Sequence, residues 1–250
     1  MTKHKLVALI ALALGLSASA DTKKTGKHLF ILSGQSNMTG TVKGAFAARV
    51  AERFGKENAA VVIRMKSGRG IRFWVADYRQ PTGRGLTEKK MGSNGMEYKP
   101  LIETALAAAK DQSFDTVGFI WMQGESDANN RLSEVYEESF LKLVKQLEKD
   151  LDRDDLYFVI GRINDYALSR PDNEHWHRVR ETQVKLGKTP GNAWIDTDDL
   201  NGGDVNKPDG DIHFPREGAV ILGQRFADKA IELITKPGLV ISSMALSANR

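Results

Sequence analysis

The sequence predicts one α/β domain in which helices cover both faces of a central parallel sheet. Five short apolar runs rich in β-branched and aromatic residues, at 28–33, 59–65, 115–123, 156–161 and 192–197, read as strands buried on both faces. Between them, and after the last, lie longer segments whose apolar residues return every three or four positions, the pattern of amphipathic helices. No internal repeat, linker or composition break divides the chain, so residues 21–250 are read as one domain whose last element ends near 237.

Taken in order, the first twenty residues read as an export signal. Met1 to Lys5 is basic, Leu6 to Leu16 is apolar apart from Gly15, and Ala18-Ser19-Ala20 is a small-residue cleavage site, leaving Asp21 as the first mature residue. A transmembrane anchor needs about 20 apolar residues, and this run is too short. The expected location is periplasmic or extracellular. The strand HLFILS (28–33) is closed by Gly34, and GAFAARVAERF (44–54) follows as a helix before the strand AAVVIRM (59–65). Residues 69–96 carry Gly, Arg and Lys with no period, and are left unassigned as a loop at a strand's C-terminal end. The helix KPLIETALAAAK (99–110) leads to the strand DTVGFIWMQ (115–123), and the helix SEVYEESFLKLVKQLEKDL (133–151) to LYFVIG (156–161). EHWHRVRETQVKL (174–186) precedes the short strand NAWIDT (192–197), and EGAVILGQRFADKAIELI (217–234) is the final helix.

Composition narrows the function. With 41% hydrophobic and 27% charged residues among 250, the chain can bury a core. Lys and Arg exceed Asp and Glu by only four, 36 against 32, and Lys3 and Lys5 lie in the leader. With no basic run longer than pairs such as Lys23-Lys24, nucleic acid is excluded as a partner. The absence of cysteine removes disulfides, thiolate metal sites and a thiol nucleophile.

Three polar blocks sit where strands end. Gly34-Gln35-Ser36-Asn37-Met38 follows the first strand, placing Ser36 in a tight turn at the sheet's C-terminal edge; Ser36 as a helix N-cap is the plainer alternative. Gln123-Gly124-Glu125-Ser126-Asp127 follows the third strand on the same edge, with Ser126 or Asp127 as a helix cap. Asp209-Gly210-Asp211-Ile212-His213-Phe214 precedes the last helix on a loop able to bring His213 over that edge. A nucleophile needs a base, the base needs an orienting group, and an oxyanion needs donors. All these residue types converge at strand ends.

The same blocks resemble the SGNH hydrolase superfamily, and within it the sialate O-acetylesterase-like and acetylxylan esterase group, carbohydrate esterase family six. Gly-Gln-Ser-Asn-Met at 34–38, Trp121-x-Gln123-Gly124-Glu125-Ser126-Asp127, and Asp211-Ile212-His213-Phe214 followed by Gly223 and Arg225 carry the resemblance. Val179-Arg180-Glu181-x-Gln183, Ile195 to Leu200 and Gly95-Met96-Glu97 extend it. The resemblance implies a three-layer flavodoxin-like α/β/α fold and hydrolysis of acetyl esters on sugars without a metal or cofactor. It implies Ser36 as nucleophile and His213 as base and then acid. It also implies oxyanion donors from the Ser36 and Gly95 backbone N–H groups and the Gln123 side-chain amide. Gln123 stands where the superfamily usually has an asparagine.

The acid departs from the superfamily pattern, because the position three residues before His213 is Gly210. Asp211 projects to the same side as His213 if the segment is extended, and Glu125 can approach from the sheet. Asp209, or a carbonyl in a plain dyad, are the remaining choices. Two other enzyme readings compete. A metal hydrolase would use Asp204, Asn206, Asp209 and Asp211 or His175 and His177, although the loop has Pro208 and Asp209 where a calcium loop needs a ligand and glycine. An esterase of the same fold could instead act on non-sugar esters. A non-catalytic carbohydrate-binding protein would use Trp74, Trp121, Trp176 and Trp194 as platforms, although Trp121 and Trp194 lie in strands and read as core. The expected partner is an acetylated mono-, oligo- or polysaccharide, with no membrane span after the leader; oligomeric state is unreadable.

Overall fold

A computed structural model describes residues 26–83, 93–202 and 211–236. The expected leader at 1–20, with Lys23 and Lys24, and the loop residues Asp204, Asn206, Pro208, Asp209 and Gly210 lie outside the described residues. Five strands, β1 (His28–Gly34), β2 (Ala59–Met65), β3 (Thr116–Met122), β4 (Tyr157–Gly161) and β5 (Ala193–Ile195), form one parallel sheet in the order β2-β1-β3-β4-β5. Its helices are α1 (Gly40–Phe54), α2 (Tyr98–Ala109), α3 (Glu125–Asn129), α4 (Tyr136–Asp150), α5 (Glu174–Gly187) and α6 (Arg216–Thr235). The strands and long helices fall where the hydrophobic periods place them.

Every residue of β1 is buried, because β2 and β3 pair with it on either side and helices cover both faces. That accounts for a continuous apolar run instead of an alternating one. α1 and α6 pack on each other over one face, while α2 packs on β1 and β2, and α5 on β4 and β5. Aromatic rings fill the layers. Phe30 meets Phe46 edge-on at 5.1 Å, Trp74 meets Trp121 at 5.2 Å, and Phe140 meets Phe158 at 4.9 Å. Trp74, Trp121 and Trp176 are buried, which leaves them no open face for a sugar; Trp194 is half-buried beneath the Arg162 guanidinium.

The chain reverses direction of travel across the sheet after β2: β1 leads to β2 on one side, and the next crossover returns to β3 on the other. The crevice of such a sheet opens between β1 and β3, beyond their C-terminal ends. Both strands end on the same rung, Gly34 opposite Met122.

Gly223 of α6 sets the contact with α1. A Cβ there would lie 2.4 Å from the Val42 carbonyl oxygen and 2.9 Å from the Ala45 Cβ, so the two helices touch backbone to backbone. Gly223→Ala is therefore expected to lower unfolding free energy by about 1–3 kcal/mol through overpacking, measured by urea denaturation.

Candidate active site

The site begins with the exit from β1. Gly34 has φ +143°, and a Cβ on it would fall 1.9 Å from the Met122 carbonyl oxygen. Gln35 N–H donates to that oxygen at 2.9 Å, and Met38 N–H donates to Gln35 O at 2.9 Å, closing the turn that carries Ser36. Ser36 does not cap α1. Thr39 is the cap, its Oγ1 accepting from Val42 N–H at 3.3 Å, so the Ser36 hydroxyl is left for another partner.

That partner is His213, whose Nε2 lies 3.0 Å from Ser36 Oγ although 177 residues separate them. Ser36 is half-buried and His213 exposed, so a substrate can reach the pair. A second serine–histidine pair, Ser133 Oγ with His175 Nδ1 at 2.6 Å, has Glu174 Oε1 3.2 Å from His175 Nε2. Both Ser133 and His175 are buried, so this pair fastens α5 to the turn before α4 and is closed to a substrate. Nothing in the sequence marked it, since neither residue stands in a strand-end motif. His177 is exposed while His175 is buried, and the described residues contain no cluster of three His, Cys, Asp or Glu able to hold a metal.

Asp211 is the carboxylate beside the imidazole. Its Oδ1 accepts the His213 backbone N–H at 3.0 Å and lies 3.7 Å from His213 Nδ1, ion-pair range rather than a hydrogen bond. Glu125, the other choice, does not reach His213. Its Oε1 accepts from Asn37 Nδ2 at 2.8 Å, and the same Asn37 Nδ2 donates to Ile212 O at 2.9 Å. Asn37 therefore stands between Glu125 and the histidine loop.

Two expected oxyanion donors are already engaged. Gly95 N–H donates to Arg72 O at 3.0 Å. Gln123 is fully buried, with Nε2 facing Gln35 Oε1 at 3.2 Å, Arg69 O at 3.2 Å and Asp127 Oδ2 at 2.5 Å. Two amide protons against three acceptors leave none for a substrate. Gln123 instead ties the end of β3 to the turn after β1 and to the loop after β2. Asp127 is not the N-cap of α3, which is Gly124; its Oδ2 also accepts Ile71 N–H at 2.8 Å and so anchors the same loop. Ser126 gives its N–H to Gln35 Oε1 at 3.2 Å. Among the described residues, the N–H groups of Ser36, Gly68 and Gly70 carry no hydrogen bond.

Several more polar residues lie beneath this edge; the resemblance singled out Arg180 and Gln183 without giving them a role, and Asn164 was missed. Gln183 donates to Gln123 O at 2.7 Å and accepts Ile163 N–H at 2.8 Å. Arg180 donates to Ile163 O at 2.6 Å and pairs with Asp198. Asn164 Nδ2 donates to Asp211 O at 3.3 Å and Ile212 O at 3.2 Å. The sequence signal for Gln183 and Arg180 is that they are polar residues in step with Trp176, Val179 and Leu186 on the buried face of the helix; Asn164 had none.

The fold is that of the SGNH and GDSL hydrolases. Solved structures with this architecture include a protein from Arabidopsis thaliana, with TM-score 0.60 and 18% identity, covering 83% of this chain and 98% of that one. A carbohydrate acetylesterase from Xanthomonas citri has TM-score 0.55 and 16% identity, covering 83% of this chain and 56% of that one. A lipolytic G-D-S-L family protein from Veillonella parvula has TM-score 0.50 and 16% identity, covering 84% and 100%. No curated protein sequence matches significantly. The family model described as carbohydrate esterase, sialic acid-specific acetylesterase, matches residues 42–232, and the chain belongs to that family. The matched span opens just after Ser36 and includes His213.

Burial governs the electrostatics. It pushes the Glu125 carboxyl up to about 7, against the lowering pull of its own backbone N–H and of Asn37, and pushes Asp127 up to about 6, against Gln123 and Ile71 N–H. The folded chain thus holds protons that the unfolded chain releases at lower pH, and stability from these groups is lost as pH rises through the raised values. Unfolding free energy is expected to fall between about pH 5 and 7 in wild type, and to fall less steeply in Glu125→Gln, as read from denaturation curves at each pH.

Proposed function

We propose that this protein is a serine esterase that removes O-acetyl groups from carbohydrates through an acetyl-Ser36 intermediate. The observation that carries this reading is the 3.0 Å contact of Ser36 Oγ with His213 Nε2 at the accessible mouth of the β1/β3 crevice. Membership in a family of carbohydrate esterases supports the acetyl-sugar substrate.

In this reading His213, in its neutral form, takes the Ser36 proton as Oγ attacks the acetyl carbonyl carbon. The carbonyl π electrons move onto oxygen, and collapse of the tetrahedral intermediate expels the sugar alkoxide, which takes the proton from His213. Water then attacks the acetyl-serine, giving its proton to His213; acetate leaves as the proton returns to Ser36 Oγ. The Ser36 N–H and the N–H groups of the Gly68–Gly70 loop, which carry no other bond, are the donors we assign to the oxyanion. Asp211 supplies a favourable charge to the imidazolium at 3.7 Å. No step calls on a metal or cofactor. The leader at 1–20 favours action outside the cytoplasm on free or polymer-bound acetylated sugars such as acetylxylan or sialate esters.

Acetate release by residues 21–250 from 4-nitrophenyl acetate and from a panel of acetylated sugars tests the reading. Ser36→Ala and His213→Ala are each expected to lower kcat by at least about 1000-fold with the fold retained, and chelator is expected to leave the rate unchanged. Release that persists in Ser36→Ala would overturn the nucleophile. Hydrolysis of simple aryl esters with no release from any acetylated sugar would place the substrate among non-sugar esters.

A further inference from the structure

Among the described residues, the segment 211–215 that presents His213 has one internal side-chain hydrogen bond, between Asp211 and the His213 backbone. Residues 211–215 are exposed at Asp211 and His213 and form no strand or helix; Asp211 Oδ1 holds the His213 backbone N–H at 3.0 Å but stands 3.7 Å from the imidazole. Yet a general base must keep its nitrogen within hydrogen-bond reach of the nucleophile. The fixing contacts come from below, from a residue beside the nucleophile itself.

Asn37 is 3% exposed, and its side-chain amide makes three contacts. Nδ2 donates to Ile212 O at 2.9 Å, Oδ1 accepts Phe214 N–H at 3.2 Å, and Nδ2 donates again to Glu125 Oε1 at 2.8 Å. The first two partners are the backbone groups on either side of His213. The amide therefore stands in for the peptide unit of a neighbouring strand, fixing residues 212 and 214 and with them the direction of the His213 Cα–Cβ bond. The third contact fixes the amide itself. Rotated by 180°, Asn37 would set Oδ1 against the Ile212 carbonyl and Nδ2 against the Phe214 N–H, so both backbone contacts would turn repulsive, and the Glu125 contact with them whenever that carboxyl is ionised. Asn164 adds a second donor to Ile212 O at 3.2 Å from the β4 side.

We propose that Asn37 is a positioning residue that locks the His213 loop to the Ser36 turn, and that Glu125 acts through Asn37 as the group that sets its amide orientation. Because Asn37 follows Ser36 directly, one short turn carries both the nucleophile and the clamp for its base. The distance between nucleophile and base is then set within one rigid unit and does not depend on the path of the chain between them. The proposal rests on the esterase reading for its kinetic consequences and on the hydrogen-bond geometry alone for its structural ones.

The test is a cycle of Asn37→Ala with His213→Ala, with folding checked by circular dichroism and thermal unfolding. Asn37→Ala is expected to lower kcat by about 100-fold, the scale of a misplaced catalytic group, with KM changed less than about twofold. Added to His213→Ala it is expected to change the residual rate less than about twofold, because the base it positions is already gone. Full additivity in the cycle would overturn the proposal. If Asn37→Ala does not fold, Asn37→Ser replaces it, keeping a small polar group in the buried site but too short to hold both Ile212 O and Phe214 N–H, with the same expected loss. A crystal structure of the variant separates failure of the clamp from failure of the esterase reading. The expected result is an imidazole displaced from Ser36 Oγ or present in more than one position. An unchanged 3.0 Å contact would overturn the proposal even if the protein hydrolysed no ester at all.

Discussion

The candidate site depends on one close approach, that of Gly34 to the Met122 carbonyl. No side chain fits between β1 and β3 there, and Gln35 N–H takes the Met122 oxygen in the space a Cβ would fill. The two strands therefore finish level, and the residues after each emerge as neighbours: Gln35, Ser36 and Asn37 from one, Gln123, Glu125 and Asp127 from the other. A larger residue at Gly34 would force the strand ends apart by the width of its own Cβ, and the contacts that cross from one block to the other would lengthen together. Topology adds the opening, because the chain leaves β1 toward β2 and returns to β3, so the connections from the two strands diverge on either side of the gap between them.

Beneath that opening lies a polar layer in which Gln35, Asn37, Gln123, Glu125, Asp127, Asn164 and Gln183 are all at least nine-tenths buried. Their desolvation is offset mainly by hydrogen bonds to one another and to strand-end backbone groups. The offset is incomplete: Gln123 Oε1, Glu125 Oε2 and Asp127 Oδ1 find no hydrogen-bond partner among the described residues. Such groups cost stability, and the raised carboxyl pKa values express the same cost in protons. An apolar layer of equal volume would fold as tightly but could not dictate which amide faces which loop. In this chain the layer links three loops, after β1, after β2 and before α6, that share no secondary structure.

The fold was legible because each strand and helix carries its own period. β1 and β3, buried on both faces, read as unbroken apolar runs, and α4 and α6 as helical stripes. Ser36 and His213 were legible as residue types at strand ends, although only the structure puts their reactive atoms in contact. What escaped were roles decided by competition for hydrogen bonds. Gly95 and Gln123 have donors of the right kind, but Arg72 O, Gln35, Arg69 O and Asp127 claim them. Spacing along the chain does not record which of several acceptors a buried amide will find. Glu125 is a carboxylate of the right kind, but its oxygen is taken by Asn37, which in turn holds the histidine loop.

The exposed acid and the buried clamp are complementary solutions to one requirement. A buried aspartate that accepts the Nδ1 proton orients an imidazole directly, and its effect is strong because the site is dry. Asp211, 71% exposed at its side chain and 3.7 Å from Nδ1, acts through water-screened charge and leaves the ring weakly oriented. Orientation must then come from the backbone that carries the ring. Backbone contacts made by buried side chains are less screened, and the two that fix residues 212 and 214 end on an asparagine itself fixed by Glu125. The carboxylate in the interior therefore serves the histidine at one remove, while the one at the surface is left to balance charge.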